Sequence, residues 1–489
     1  MKHIRIYIVL MITCLLTSGC RFSRNVTVSD ELPPIYPDYT NVTIPYNIAP
    51  LNFLLRNKPE AVEIRLKGSS KELLIRDSYK VQFAPKTWKS LLEAEKGHTI
   101  TVGITVKSGK EWIQYAPFEW HVVADKIDPY LSYRLIEPGY EVWNAIQLRE
   151  RNLENFAETV VADNNLTENA CMNCHTYGNQ DPALSFFHLR GAKGGTILNR
   201  NGQLRKLDTK AGNMTSSVVY GNFHPSGRFG VFSTNNIIPA FHTHRNERLE
   251  VYDTESEIVV IDFNENRVIP FPPDTVERKP FRTFPVFSAQ GTSVYYCEAP
   301  YVPLPDSIHS LMYSLCRIDF DPSACTFGNR VDTLFDAFET GKSVCHLKTS
   351  PDGKYIMYTV ADYGTFPIWR RETDLEMIDL ESGEINHLEA VNAGCSDTYH
   401  SWSSGSRWFV FASKRDDGIY GKPYFSYIDS LGVAHKPFVL PQRDPAFYDY
   451  TLKSYNIPEL SKGKLPFTAR DIERIYYGMD AEKLEFAGK

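Results

Sequence analysis

The chain has 489 residues, with 53 Lys and Arg against 59 Asp and Glu, a net charge of −6. That balance argues against a general nucleic-acid binder. With 42% hydrophobic and 23% charged residues it reads as a folded chain, not a disordered one, long enough for roughly two to four domains. Its 28 Tyr, 28 Phe and 30 Pro favour a β-rich, turn-rich fold over a helical bundle.

Residues 1–20 open on a basic start (Lys2, His3, Arg5), continue through the apolar run Ile6 to Leu16, and end on Thr17, Ser18, Gly19 and Cys20. The apolar run is too short to span a bilayer, and the pattern is that of a secretory leader. Its ending resembles a bacterial lipoprotein signal, in which the Cys becomes the lipidated first residue. Thr17 stands where a large apolar residue is preferred, with Leu16 one place earlier. The competing reading is a plain cleaved signal with an incidental Cys. The expectation is an exported body in the cell envelope, facing the periplasm and held to the outer membrane by a lipid at Cys20. Of nine cysteines, Cys14 and Cys20 belong to the leader and Cys171 and Cys174 form a CxxC pair. Cys297, Cys316, Cys325, Cys345 and Cys395 are odd in number, so at least one is unpaired; their connectivity is not legible, and free buried thiols are the alternative.

Residues 21–40 are a polar, Pro-containing tether. Residues 41–125 alternate apolar and polar positions in Val62–Leu66, Leu73–Ile75, Thr99–Val106 and Trp120–Val123, with one helical insert at Lys86–Glu95. Such period-two runs suit a small immunoglobulin-like or fibronectin III-like sandwich. Residues 126–190 are expected to be a helical haem-binding segment, since Trp143, Ile146, Leu153, Phe156 and Val160 fall at roughly helical spacing. From 191 to 489 the pattern is β again and repeats. The turns Phe223–Gly227, Phe287–Gly291, Thr349–Gly353 and Ser401–Gly405 each lead into an aromatic or β-branched run, at intervals of roughly fifty to sixty residues. A half unit at Gly195–Arg205, closed by strands beyond residue 436, completes a five- or six-bladed β-propeller; an irregular β-sandwich is the alternative. The turn Ser350-Pro-Asp-Gly-Lys354 resembles the hallmark of TolB-like propellers.

Cys171-Met-Asn-Cys-His175 is the sharpest chemical signal. In c-type cytochromes two thiols at this spacing add across the haem vinyl groups and the adjacent His ligates iron. A structural zinc site would need more ligands, and no second CxxC or HxxxH is present. A thioredoxin-like dithiol would need a strand–CxxC–helix setting. The expected cofactor is therefore one covalent haem c, held by Cys171, Cys174 and His175. His188 is the expected sixth ligand, with Arg190 facing a propionate; Met214, His224 or an open position are the alternatives. His242 and His244 could bind metal as an HxH pair, although a loop role is simpler, and Ser413–Gly418 could line a channel or form a salt-bridged turn.

The leader, the sandwich, Asp128–Tyr140, Ala170–His175, Phe187-His-Leu-Arg190, Phe223–Gly227, His400–Ser403 and Ser413–Gly418 together resemble a family of Bacteroidetes exported lipoproteins with a c-type haem motif and a TolB-like propeller. The resemblance covers nearly the whole mature chain and implies a single haem peptide inserted before a propeller. The reading is a membrane-tethered monohaem cytochrome-like protein, passing single electrons to a redox protein partner docked on the propeller. The alternatives are a peroxidase-like haem enzyme with an open distal site and a non-redox TolB-like protein-binding scaffold. Nucleic acid is not an expected partner.

Overall fold

A computed structural model describes residues 26–137, 145–241 and 249–487. The leader with Cys14 and Cys20, Trp143, and the pair His242 and His244 lie outside the described residues. Among those described, no helix is long and apolar enough to cross a membrane.

The N-terminal unit is built on the long strand His98–Ser108, which pairs on its two sides with Glu111–Gln114, Phe118–Val123 and Ala61–Lys67. Strict alternation decides which face is buried: Val62, Ile64 and Leu66 point in, as do Ile100, Val102, Ile104 and Val106. A short sheet of Ile35–Tyr36, Phe53–Leu55 and Lys80–Val81 and the helix Pro85–Ala94 complete the unit. The helix starts on Pro85, whose missing N–H costs nothing in the first turn, and buries Trp88, Leu91 and Leu92. The indoles find backbone acceptors: Trp88 Nε1 donates to the Ile48 carbonyl at 2.9 Å and Trp120 Nε1 to the Tyr39 carbonyl at 2.8 Å.

The remainder is a ring of six antiparallel sheets. The first contains Tyr130–Ile136, Ile146–Asn152 and Glu158–Asp163; the second Met172–Gly178, Asp181–Leu189, Gly195–Arg200 and Gln203–Asp208. The third runs from Val218–Phe223 through the long hairpin Phe229–Phe241/Leu249–Asp262 to Arg267–Pro270, and the fourth from Phe281–Phe287 to Thr326–Phe335. The fifth runs from Ser343–Thr349 to Ile385–Asn386, and the sixth from Asp397–Trp402 to Phe438–Val439. The innermost strand of the first sheet comes from the far end of the chain: Ser454–Ser461 pairs with Tyr130–Ile136. Each innermost strand contacts the next, and Ser454–Ser461 contacts those of both the sixth and the second sheets, so the circle closes. The C-terminal tail adds Glu482–Lys483 and Glu485–Phe486 to the outer edges of the second and third sheets, covering backbone that would otherwise be free to pair.

The N-terminal unit packs on the sixth sheet, sharing one core that includes Trp120, Tyr133 and Trp408. Asp128 is buried at the junction, its carboxylate accepting from Ser404 N at 2.7 Å and Ser404 Oγ at 2.6 Å.

Two expectations are corrected. The helical segment at 126–190 is strand: Ile146–Asn152 and Glu158–Asp163 lie where a helix was expected. Ile146 and Leu148 alternate with less buried neighbours, and the turn at Leu153–Phe156 gives the apolar positions a false helical period. The domain boundary expected at residue 190 falls inside the second sheet, where Asp181–Leu189 pairs with Gly195–Arg200. The segment carrying CMNCH is part of the ring.

Candidate functional site

Every innermost strand carries the same irregularity. Two residues on it oppose one on its neighbour: Cys174–His175, Tyr220–Gly221, Phe284–Pro285, His346–Leu347, Tyr399–His400 and Ile457–Pro458. The first residue of each pair sits in the left-handed region, with φ of 54, 45, 50, 54, 52 and 53° in that order. None is glycine, so each bulge stores about 1–3 kcal/mol of backbone strain. What the strain achieves is aim: a bulge turns side chains that pleating would send between sheets toward the axis. All of these residues except Pro458 line one cavity of about 380 Å³. That lies within the range of roughly 300–1,000 Å³ usual for small-molecule sites.

The cavity is lined by Ile237, Pro239, Leu249 and Val251 of the long hairpin and by Ile368 and Trp369, together with the charged Arg134, Arg190 and Lys348. Arg370 and Glu250, both buried and next in sequence to Trp369 and Leu249, pair at 2.8 Å. A second cavity of about 260 Å³ shares Lys348; Lys348 Nζ lies 3.9 Å from Glu459 Oε1, which accepts from Thr176 Oγ1 at 2.7 Å.

Cys171, Cys174, His175 and Arg190 all line the axial cavity. Both thiols are buried and free, and burial pushes the Cys174 thiol up. His175 is buried, and its Nε2 has no hydrogen-bond partner. Burial, then the charges of Arg134 and Lys348, lower its pKa to about 3, so the ring is neutral. Arg134, Asn173, His400 and Asn456, which also line the cavity, each carry a buried side-chain atom without a partner.

The residues fit a haem: Cys174 and His175 on one strand with Cys171 just before it, apolar walls for a macrocycle, and Arg134 and Arg190 for its carboxylates. Among the described residues no cluster of three or more His, Cys, Asp and Glu is arranged to hold a bare metal ion.

The three candidates for the sixth ligand are not on this cavity. His188 packs against Phe186 and Phe232, with Nδ1 2.8 Å from Thr196 Oγ1. It is paired with Asn173 across neighbouring strands of the same sheet. Met214 is buried with Leu207, Val268 and Leu484. His224 bridges two turns, its Nε2 3.1 Å from the Gly291 carbonyl oxygen and its Nδ1 2.7 Å from Ser226 Oγ. Nearness in sequence favoured His188; nearness across the axis belongs instead to His346 and His400, which line the cavity. Ser413–Gly418 forms an ion-paired turn, with Arg415 3.0 Å from Asp397 and Asp416 2.8 Å from Lys422. The seven described cysteines are all free, and Cys297, Cys316, Cys345 and Cys395 are buried.

No family model matches the chain, and no curated protein matches it. Among solved structures it is similar to a puromycin-hydrolyzing peptidase of Mycobacterium tuberculosis, at 11% identity over 82% of this chain and 57% of that one, with a TM-score of 0.36. It is also similar to prolyl oligopeptidase B of Galerina marginata, at 11% identity over 80% and 54% (TM-score 0.35). A DUF4784 family protein of Bacteroides caccae aligns at 8% identity over 72% and 94%, with a TM-score of 0.29. The chain spans little more than half the length of the two peptidases. Likeness at this level carries no functional argument.

Proposed function

We propose that the protein is a monohaem c-type cytochrome-like electron carrier, exported and tethered by a lipid at Cys20. In this reading the six sheets are the blades of a propeller and the haem lies in its axial cavity. The observation that carries the reading is the convergence of Cys171, Cys174 and His175 on one largely apolar cavity. The bound group supplies one-electron redox chemistry at its iron. The chain's own residues do the rest. The two thiols would hold the macrocycle and His175 would ligate the iron. Arg134 and Arg190 would supply positive charge for its carboxylates. The hairpin residues Ile237 and Val251, with Trp369, would give it apolar walls.

The test is the absorption spectrum of the mature protein, produced with c-type maturation machinery, oxidised and reduced. A sharp α-band on reduction, surviving denaturation and lost in the Cys171→Ala/Cys174→Ala variant, is expected. Wild type without covalent haem would overturn the reading. The six-sheet ring itself supports the remaining one, a non-redox scaffold that binds an envelope protein at a mouth of the ring.

A further inference from the structure

We propose that His346 supplies the second axial nitrogen to the iron that His175 holds. The inference rests on the haem reading above and names the residue that completes its site.

The argument begins with position. The sheets follow one another round the ring in chain order, so the second and fifth are separated by two sheets on either side and face each other across the axis. A flat group anchored by Cys171, Cys174 and His175 would present its other face to residues from the opposite sheet. His188 belongs to the same sheet as the anchors and does not line the cavity. His346 sits on the innermost strand of the fifth sheet and lines it.

Orientation separates His346 from His400, the other histidine on the cavity. His400 is tied through Nε2 to the Met357 carbonyl oxygen at 2.9 Å, which leaves only Nδ1, the nitrogen beside its own backbone. His346 is tied the other way: Nδ1 lies 3.2 Å from Thr398 Oγ1, so Nε2 is the outward nitrogen. Its ring is braced edge-on by Phe284, with centroids 4.4 Å apart, and by the tilted ring of Tyr399 at 4.6 Å. His346 is partly exposed and lines the axial cavity. Its φ of 54° is the strained conformation by which the bulge turns the residue to the axis. Braced on two sides and anchored at Nδ1, His346 has the preorganisation of a ligand.

Two imidazoles on one iron give a low-spin, lower-potential centre than His–Met ligation and leave no position for substrate. The expected result is a low-spin spectrum for wild-type holo-protein, converted to high-spin in His346→Gly with full covalent haem content. Glycine accepts a φ of 54° without strain, so the substitution spares the backbone. Millimolar imidazole should restore the low-spin bands in that variant, and His346→Met should raise the reduction potential. His188→Gly should leave the bands unchanged. A low-spin spectrum that persists in His346→Gly, or a high-spin wild type, overturns the assignment while the haem reading stands. Wild type without covalent haem overturns the haem reading itself, so the two failures are distinguishable.

Discussion

The buried ion pair next in sequence to the cavity-lining Leu249 and Trp369 offers a quantitative test of the architecture. Glu250 follows Leu249 on the long hairpin of the third sheet, and Arg370 follows Trp369. Both side chains are only 7% exposed. Arg370 Nη2 lies 2.8 Å from each oxygen of Glu250, and its guanidinium lies 3.5 Å from the centroid of the Tyr363 ring. Glu250→Ala leaves that guanidinium buried with Glu372, 4.0 Å away, as its remaining carboxylate among the described residues. An abandoned buried charge costs about 3–5 kcal/mol, and the residual partner places this case at the lower end, about 3 kcal/mol. Removing both charges in Glu250→Leu/Arg370→Met deletes the desolvation penalty with the attraction, so the double variant should lose less than Glu250→Ala. Urea unfolding measures this through a shift in midpoint at constant slope. A loss below about 1 kcal/mol for Glu250→Ala, or simple additivity in the double variant, would refute the reasoning.

Two further outcomes are expected. Asp253 is buried, accepts from Asn235 Nδ2 at 2.7 Å, and burial raises its pKa to about 7. The folded state therefore keeps a proton that the unfolded chain releases near pH 4, and the associated stability is lost as pH rises through about 7. Relative to Asp253→Asn, wild type should lose stability between pH 4 and 8, by up to about 4 kcal/mol; a difference that does not change with pH contradicts this. In Gly221→Ala the new Cβ would stand 2.2 Å from Phe232 Cε1 and 2.7 Å from Phe186 Cζ. Chemical denaturation should show a loss of about 1–3 kcal/mol, against near-neutrality for Gly405→Ala, where nothing lies within 4 Å. Equal effects at the two sites would contradict the packing described.

Much of this was legible in the residues. Alternation in Val62–Leu66 and Thr99–Val106 marks strands because one face of each is buried, and the runs after Gly227, Gly291, Gly353 and Gly405 mark the second strands of four sheets. The first two sheets lack that turn, and so the CMNCH segment read as a helical insertion. Histidine ligands were sought near the motif because proximity in sequence is visible and proximity across a ring is not. A signal was nevertheless present. Tyr220, Phe284, His346 and Tyr399 each stand four positions before the first residue of a repeat turn, at His224, Ser288, Ser350 and Ser403. Aligning the repeats brings His346 into register with those residues, and His400 into register with Gly221, Pro285 and Leu347. What alignment cannot supply is which ring nitrogen is tied down, since that depends on Thr398 and Met357 in neighbouring strands.

The seal of the ring also bears on how the fold forms. Ser454–Ser461 pairs with Tyr130–Ile136, far away in the chain, and contacts the innermost strands of the second and sixth sheets. Until it docks, the circle has a gap beside the second sheet, next to Cys171 and Cys174. Long-range pairing of this kind is slow to form, so on the haem reading the closing strand would set how long the two thiols stay open to attachment.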